Sequence, residues 1–291
     1  MVTLLQLALN GLALGAAYAL VALGFVLVLN ATGAVNFAQG DLVMAGGYSA
    51  ATLAAVLPVP GLALLPVVIA AMALLGLAVA GLAYFPLMRR PTTAVFVSTI
   101  AVGLVLQSAA VNLFGPEART APPVWNSDPI LWGSLTLSVQ ALAVIGIAAV
   151  LVLGQGWLLA RTRLGRNLRA TAQDREMAAA LGIRVNVMIA LSFALAAGLA
   201  GAAGALLANQ FFVTPTAGSA LILKAYIAVV IGGWGSLGGA VVGALLVGLF
   251  ETVVAAAVSY TAASALLYAA LLLILLLRPQ GLFGETGGRR A

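Results

Sequence analysis

Long apolar runs follow one another along almost the whole chain, separated by only a few short polar segments. A helix that crosses a membrane needs about 20 apolar residues, and a soluble domain averages about 25% charged residues. This chain of 291 residues is 64% hydrophobic and only 7% charged. We therefore predict an all-α, polytopic integral membrane bundle with about eight to ten transmembrane helices. The runs are continuous rather than alternating, which argues against a β-barrel.

The apolar runs divide the chain into spans and loops. The predicted full-length spans are residues 3–29, 61–87, 93–114, 135–159, 186–208, 240–260 and 262–277. Apolar residues up to about Val56 and the short run 221–233 supply further crossings, which gives about nine in total and leaves an eight-span arrangement open. Residues 3–29 are predicted to be a first span because no basic region precedes them, as it would in a cleaved signal. The segments 115–133 and 209–220 are expected outside the membrane, the second of them alternatively as a re-entrant loop.

Arginine placement predicts the orientation. Three patches, 89–90, 161–184 and 278–290, contain every arginine except Arg119. Cytoplasmic loops are enriched in Lys and Arg, so the three patches are expected on the cytoplasmic side. With three early crossings before the first patch, the N-terminus is expected outside and the C-terminus in the cytoplasm.

The segment 161–184 is a charged region between two apolar runs. A charge at the bilayer centre costs roughly 2.5–3.5 kcal/mol, so this segment must lie in water. Its alanines predict a short helix that stops at Gly182. One predicted face is polar and the other apolar: Arg166, Arg169, Gln173 and Glu176 on the first, and Ala170, Met177, Ala178 and Leu181 on the second. The pattern is typical of an amphipathic helix at the membrane surface with one side open to a soluble partner, although arginines can also serve topology alone.

Polar residues inside apolar runs are candidate functional groups, because each is costly in lipid. Asn36, Gln39 and Asp41 lie in a glycine-rich segment that is either a loop between spans or a broken helix lining a cavity. Lys224 is near a span end, where its amine can reach the interface, or it faces a path. Glu251 is deeper in its run and is either a satisfied buried carboxyl or part of a translocation path.

Several kinds of chemistry are excluded. The chain has no cysteine and no histidine, so disulfides, thiolate metal sites and histidine acid–base chemistry are ruled out. No P-loop run of the form G-x-x-x-x-G-K-S/T is present, and the glycine-rich segment 232–239 lacks its lysine. The chain is therefore not expected to hydrolyse ATP, and these glycines are expected to allow a turn or close helix packing.

These pieces together resemble the permease subunits of bacterial ABC importers for branched-chain amino acids, specifically the smaller, H-type subunit. The resemblance covers almost the whole chain as a single transmembrane permease domain, 1–291. The segments that match are 10–48, 162–183, 193–206, 231–249 and 278–284. The second is the most specific, since in the family this cytoplasmic loop, here about 160–185, docks onto the ATP-binding subunit.

The resemblance implies both site residues and partners. The residues that match the docking motif are Gly165, Arg166, Arg169, Ala170, Gln173, Asp174, Glu176, Ala179 and Gly182. The translocation-path candidates are Asn36, Gln39, Asp41, Lys224 and Glu251. The expected partners in the bacterial inner membrane system are two ATP-binding subunits, a second related permease and a periplasmic binding protein, which would meet the extracytoplasmic loops such as 115–133. No cofactor is expected on this chain, and ATP and Mg²⁺ are expected to act in the partner subunits.

The substrate is less constrained than the architecture. Related permeases carry branched-chain amino acids, other amino acids, amides or urea, and a wider circle carries sugars and nucleosides. An ion-coupled secondary carrier remains an alternative, although no pair of acids with relay spacing is evident. A membrane-embedded enzyme is disfavoured because histidine, cysteine and clustered acids are all missing.

Overall fold

The fold is an all-helical bundle with one small extramembrane hairpin. In the computed structural model, residues 2–57, 61–123, 130–132, 135–278 and 280–283 are described. The helices are α1 (Val2–Thr32), α2 (Gln39–Val56), α3 (Gly61–Val79), α4 (Thr92–Phe114), α5 (Val139–Arg161), α6 (Arg163–Gln173), α7 (Arg175–Ala180), α8 (Val185–Leu207), α9 (Ala217–Gly232), α10 (Leu237–Ala257) and α11 (Tyr260–Leu277). After α3 the chain continues as a π-helical turn (Ala80–Tyr84) and a 3₁₀ turn (Phe85–Leu87). Strands β1 (Ile130–Trp132) and β2 (Leu135–Leu137) pair antiparallel.

Within the described ranges, seven helices are long and apolar enough to cross a membrane. They are α1, α3 with its continuation, α4, α5, α8, α10 and α11. The polytopic helical class is thus confirmed, but the predicted number of about eight to ten full spans is corrected to seven. The two other predicted crossings correspond to α2 and α9. Helix α9 has only 16 residues, and α2 has polar Gln39 and Asp41 in its first turn.

Two helices form the centre of the bundle. The stretch from Ala13 to Leu29 of α1 is buried almost without interruption, and so is most of α8. Helix α1 packs against α10, α8, α5 and α9, while α8 also packs against α2 and α3. The outward faces of α4, α5 and α11 are exposed and apolar, as expected for surfaces that meet lipid.

Small residues allow this close packing. The predicted contacts at Gly198, Gly201 and Gly204 are confirmed, since Gly198 and Gly201 lie against α3 and Gly204 lies against α2. A side chain at Gly204 would collide with the backbone carbonyl of Val43. In lipid, such approach of backbones supplies the van der Waals contact that the hydrophobic effect supplies in water.

The extramembrane loops at one end meet each other. Arg119 and Val213 form a β-bridge, with N–H···O distances of 3.0 and 2.8 Å, which joins the predicted loops 115–133 and 209–220. The predicted span 135–159 begins later, at Val139, because residues 135–137 pair with β1. Residues 124–129 and 133 of the first loop lie outside the described residues.

The arginine patches lie together at the other end. Arg175 of α7 donates a 3.2 Å hydrogen bond to the Tyr84 hydroxyl, close to the patch at 89–90. The backbone N–H of Leu282, just after Arg278, bonds to the carbonyl of Ile231 at 2.8 Å. Asn30, near the end of α1, donates to the carbonyl of Gly235 at 2.9 Å in the turn between α9 and α10. We call this end the arginine end; Arg289 and Arg290 lie outside the described residues.

Candidate functional site

The charged segment at the arginine end forms two helices instead of the single helix predicted. Helix α6 ends at Gln173, and Asp174 adopts an extended conformation. Its Oδ1 accepts the backbone N–H groups of Glu176 and Met177, both at 2.9 Å, and so caps the N-terminus of α7. Helix α7 ends at Ala180, and Gly182 follows with a positive φ of 80°, as expected for a helix stop.

Helix α6 is fixed to the end of α5. The Thr162 hydroxyl accepts the N–H of Gly165 at 3.0 Å and donates to the carbonyl of Leu158 at 2.6 Å. A side chain at Gly165 would collide with the Leu158 carbonyl and the Leu159 backbone. Gly165, Leu168 and Thr171 form the buried face of α6, which packs against α1, α5 and α8. A displacement of α6 is therefore transmitted directly to spanning helices.

Most of the docking residues predicted from the resemblance are exposed. Those that face solvent are Arg166, Arg169, Gln173, Asp174, Glu176, Ala179 and Gly182, whereas Ala170 is half-buried and Gly165 is buried under α5. Met177 and Leu181, predicted on the apolar face with Ala178, are instead 59% and 74% exposed. The break at Asp174 changes the direction of the helix, so that only Ala178 of the three packs inward.

The exposed part of α6 and α7 therefore combines charge with apolar contact area. We call it the α6–α7 surface, formed by Arg166, Arg169, Gln173, Asp174, Glu176, Met177, Ala179, Leu181 and Gly182. Sequence reasoning missed the exposure of Met177 and Leu181 because it assumed one continuous helix. Large apolar side chains surrounded by exposed charges are typical of protein–protein contact sites.

The polar segment after α1 is buried, which favours the broken helix over the loop. Asn36 and Gln39 are 2% and 0% exposed. The Gln39 amide donates to the carbonyl of Ala196 at 3.0 Å, and Ala196 lies midway along α8. Helix α2 thus begins inside the bundle. Helix α9 begins beside it, because Gly40 and Gly218 are packed backbone to backbone.

Asp41 lies where these two helix N-termini meet. Its Oδ1 accepts a 2.9 Å hydrogen bond from the Gln107 amide of α4. The same Gln107 nitrogen is 3.4 Å from the Ser219 hydroxyl of α9. Asn36, by contrast, caps locally, with its Oδ1 accepting the N–H of Ala38 at 3.2 Å. Gln107 and Ser219 were not predicted as site residues; the available signal was a polar Gln107 inside an apolar run.

Lys224 and Glu251 form a buried ion pair in a second cluster. The ammonium lies 2.5 Å from Glu251 Oε1 and donates to the hydroxyls of Tyr18 and Tyr260 at 3.1 and 2.9 Å. The Tyr18 hydroxyl donates in turn to Glu251 Oε2 at 3.1 Å. Lys224 is only 4% exposed and so does not reach for the interface, which corrects that alternative. Glu251 is a satisfied carboxylate, and the cluster joins α1, α9, α10 and α11.

A cavity of about 510 Å³ borders this cluster. Its wall is mainly apolar, from α1, α2, α9 and the α8–α9 connection, and includes Phe211 and Phe212. Lys224, Tyr18 and Tyr260 add the polar groups. Asp41 is not part of this wall, because it points from α2 towards α4. The five predicted path residues therefore belong to two separate places.

Comparison with known proteins agrees with this architecture. Residues 7–276 match the family described as "Branched-chain amino acid transport system / permease component". The chain is 31% identical to the high-affinity branched-chain amino acid transport system permease protein BraD of Pseudomonas aeruginosa, covering 97% of this chain and 96% of BraD. It is 32% identical to the permease protein LivH of the same kind of system in Escherichia coli K12, with the same coverage of both chains.

A more distant relative has the same description. The probable branched-chain amino acid transport permease protein LivH of Methanocaldococcus jannaschii is 29% identical over 81% of this chain. These relatives are transport permease subunits and not enzymes. With seven apolar helices of spanning length, the chain is a multi-pass inner membrane protein. It belongs to the family of branched-chain amino acid transport permease components, which are ABC-type permeases.

Proposed function

We propose that this chain is the membrane-spanning permease subunit of an ATP-driven importer, and that it moves branched-chain amino acids across the inner membrane. The substrate class is supported by the relatives' names over nearly the full chain. The observation that supports the ATP-driven mechanism most directly is the α6–α7 surface. It exposes Met177 and Leu181 among charges at the arginine end, where a soluble subunit can reach it.

In this mechanism the partner subunits bind and hydrolyse ATP with Mg²⁺, and this chain binds no cofactor itself. Closure of an ATPase pair would move the α6–α7 surface. Because Gly165 allows α6 to lie directly on α5, that movement passes into α5, α1 and α8. Packed helices respond by rigid-body rocking between discrete arrangements, which would open the path to alternate sides.

Further partners are assigned to the two ends. The arginine end would face the cytoplasm together with the C-terminus, and the N-terminus would lie outside. The loops joined by Arg119 and Val213 would then face the periplasm, where a substrate-binding protein delivers its ligand. A second, related permease subunit would complete the membrane part, as the resemblance implies. Urea, amides or other amino acids remain the alternative substrates within the same function.

The test is capture of ATPase subunits by the tagged chain. Wild type is co-expressed with candidate ATP-binding subunits and purified beside the double variant Gly165→Asp/Glu176→Lys. A control, Glu117→Lys, changes an exposed charge at the opposite end. Wild type and control are expected to capture the ATPases, and the double variant is expected to lose them at an unchanged membrane level. Equal capture by all three proteins would contradict docking at this surface.

A further inference from the structure

Asp41 is a buried carboxylate without a cationic partner in the described part of the chain. Its side chain belongs to a residue that is 6% exposed, and the ion pair found among the described residues is Lys224–Glu251. Oδ1 accepts the Gln107 amide, whereas Oδ2 accepts no hydrogen bond from any described residue. An ionisable group inside a membrane protein is costly, and it is retained mainly where it meets a substrate, an ion or a partner charge.

The fold holds this carboxylate in place from several sides. Asp41 is in the first turn of α2 and packs on Gly218 in the first turn of α9. A side chain at Gly218 would occupy the space of Oδ1, and one at Gly103 of α4 would occupy that of Oδ2. Two helix N-termini point their positive ends at the same place, which favours a negative charge there.

Three oxygen atoms are left as acceptors in this cluster. Gln107 uses its nitrogen towards Asp41 and Ser219, which leaves the Gln107 carbonyl oxygen, the Ser219 hydroxyl oxygen and Asp41 Oδ2. Ser219 is exposed and Gln107 is half-exposed, so the cluster can be reached from the surface of α4 and α9. Polar side chains on that surface are unsuited to lipid, and this indicates a water-filled or protein-covered face.

We propose that Asp41, Gln107 and Ser219 bind the α-ammonium group of the amino acid during its passage. The inference rests on the proposed function, because a zwitterionic substrate has to place its ammonium group in the membrane interior. An ammonium has three N–H donors and no acceptor, and a carboxylate with two neutral oxygens matches this set. The Lys224 cluster cannot take this role, since its charges neutralise each other and all three Lys224 donors are used.

A thiol-labelling experiment tests the site without altering Asp41. The chain has no cysteine, so Ser219→Cys introduces a single thiol. Its reaction with a hydrophilic thiol reagent is measured in the purified complex with and without L-leucine. Val105→Cys is the control, because Val105 is 66% exposed on the opposite side of α4 from Gln107.

L-leucine and 3-methylbutylamine, which both have an ammonium group, are expected to slow labelling of the Ser219→Cys variant several-fold. The keto acid 4-methyl-2-oxopentanoate, which keeps the carboxylate and the branched chain, is expected to have no effect, and no compound should protect the Val105→Cys variant. Protection of the Ser219→Cys thiol by the keto acid, or by sodium ions alone, would overturn the proposal.

Uptake measurements separate this inference from the proposed function. In proteoliposomes with the complete importer, Asp41→Asn is expected to lower L-leucine uptake about tenfold or more, because a charge-assisted hydrogen bond is lost. Asp41→Glu should retain more uptake, and capture of ATPases should match wild type. If Asp41→Asn transports like wild type, the ammonium site is wrong and the importer function stands. If the wild type takes up no leucine, both are wrong.

Discussion

The Lys224–Glu251 pair is the strongest polar interaction within the membrane part of the described chain. Both residues are almost fully buried, and Tyr18 and Tyr260 complete their hydrogen bonds. A buried pair contributes little net stability over a well-packed apolar pair, but removal of one member leaves an uncompensated charge. The pair also connects four helices, so its integrity is expected to be a condition for the fold as well as for transport.

The first prediction concerns this pair. Lys224→Met is expected to destabilise the protein by about 3–5 kcal/mol, because Glu251 is left charged and unpaired in the interior. The double variant Lys224→Met/Glu251→Gln should lose clearly less, since no charge is then buried. The measurement is thermal unfolding of the detergent-purified proteins. A double variant as unstable as the single one would show that the unpaired charge is not the cause.

Sequence reasoning identified the charges but not their arrangement. Asp41, Lys224 and Glu251 stand out as ionisable residues in apolar runs. Lys224 and Glu251 lie on different helices, so no periodicity links them, and an interfacial position was therefore one of the two alternatives for Lys224. Tyr18 and Tyr260 were missed as well, because tyrosine in a spanning helix has no pattern that distinguishes a packing role from a hydrogen-bonding one.

At the scale of helices, glycine contacts decide how closely the central helices approach. A Cβ atom at Gly46 of α2 would lie 2.5 Å from the Cα and 2.8 Å from the carbonyl oxygen of Gly201 in α8. Backbone atoms cannot turn aside as a flexible side chain can. Helices α2 and α8 would have to separate to admit even one methyl group, and the buried Gln39–Ala196 hydrogen bond would weaken with them.

The second prediction tests this packing with a matched pair of substitutions. Gly46→Ala is expected to cost about 1–3 kcal/mol through overpacking. Gly146→Ala in α5 meets no atom within 4 Å and should be neutral or slightly stabilising, because alanine favours helix more than glycine does. Unfolding midpoints of the two variants and wild type provide the comparison. Equal midpoints for both variants would contradict the close α2–α8 contact.

The third prediction concerns the break between α6 and α7. Asp174→Ala removes the cap of α7 and is expected to cost about 0.5–2 kcal/mol of local helix stability. Capture of the ATPase subunits should fall, since α7 positions Met177 and Leu181. Asp174→Asn keeps a capping oxygen and should retain capture. Normal capture by Asp174→Ala together with reduced capture by Asp174→Asn would exclude capping as the explanation.

The sequence was informative about elements and less so about their joints. Predicted spans such as 61–87 and 186–208 agree with the helices within a few residues, because long apolar runs define them directly. The break at Asp174 was missed because helix-forming residues lie on both sides of it. The hairpin that delays the start of α5 was missed because β1 and β2 have only three residues each.

At the scale of the whole molecule, the two ends differ in charge. The described arginine patches are brought together at one end, and Glu117 and the Arg119–Val213 bridge lie at the other. The meeting of α2 and α9 inside the bundle could not be predicted from the sequence, since their contact joins residues far apart in the chain. The glycine-rich polar segment did indicate that one helix is broken there.

The fourth prediction is the orientation. Two single-cysteine variants are compared, Leu181→Cys at the arginine end and Glu117→Cys at the other. In intact cells, a membrane-impermeant thiol reagent is expected to label the Glu117→Cys variant and not the Leu181→Cys variant, and both should be labelled after the membrane is opened. Labelling of the Leu181→Cys variant alone in intact cells would reverse the orientation.

The central claim is ATP-driven import of branched-chain amino acids, and its most direct test is L-leucine uptake by proteoliposomes. They contain this chain with its ATP-binding subunits and second permease, and the binding protein is outside. Leucine is expected to accumulate only when ATP is enclosed at the side of the α6–α7 surface, and Gly165→Asp/Glu176→Lys should abolish the accumulation. Leucine uptake driven by a sodium or proton gradient without ATP would contradict the account and favour a secondary carrier.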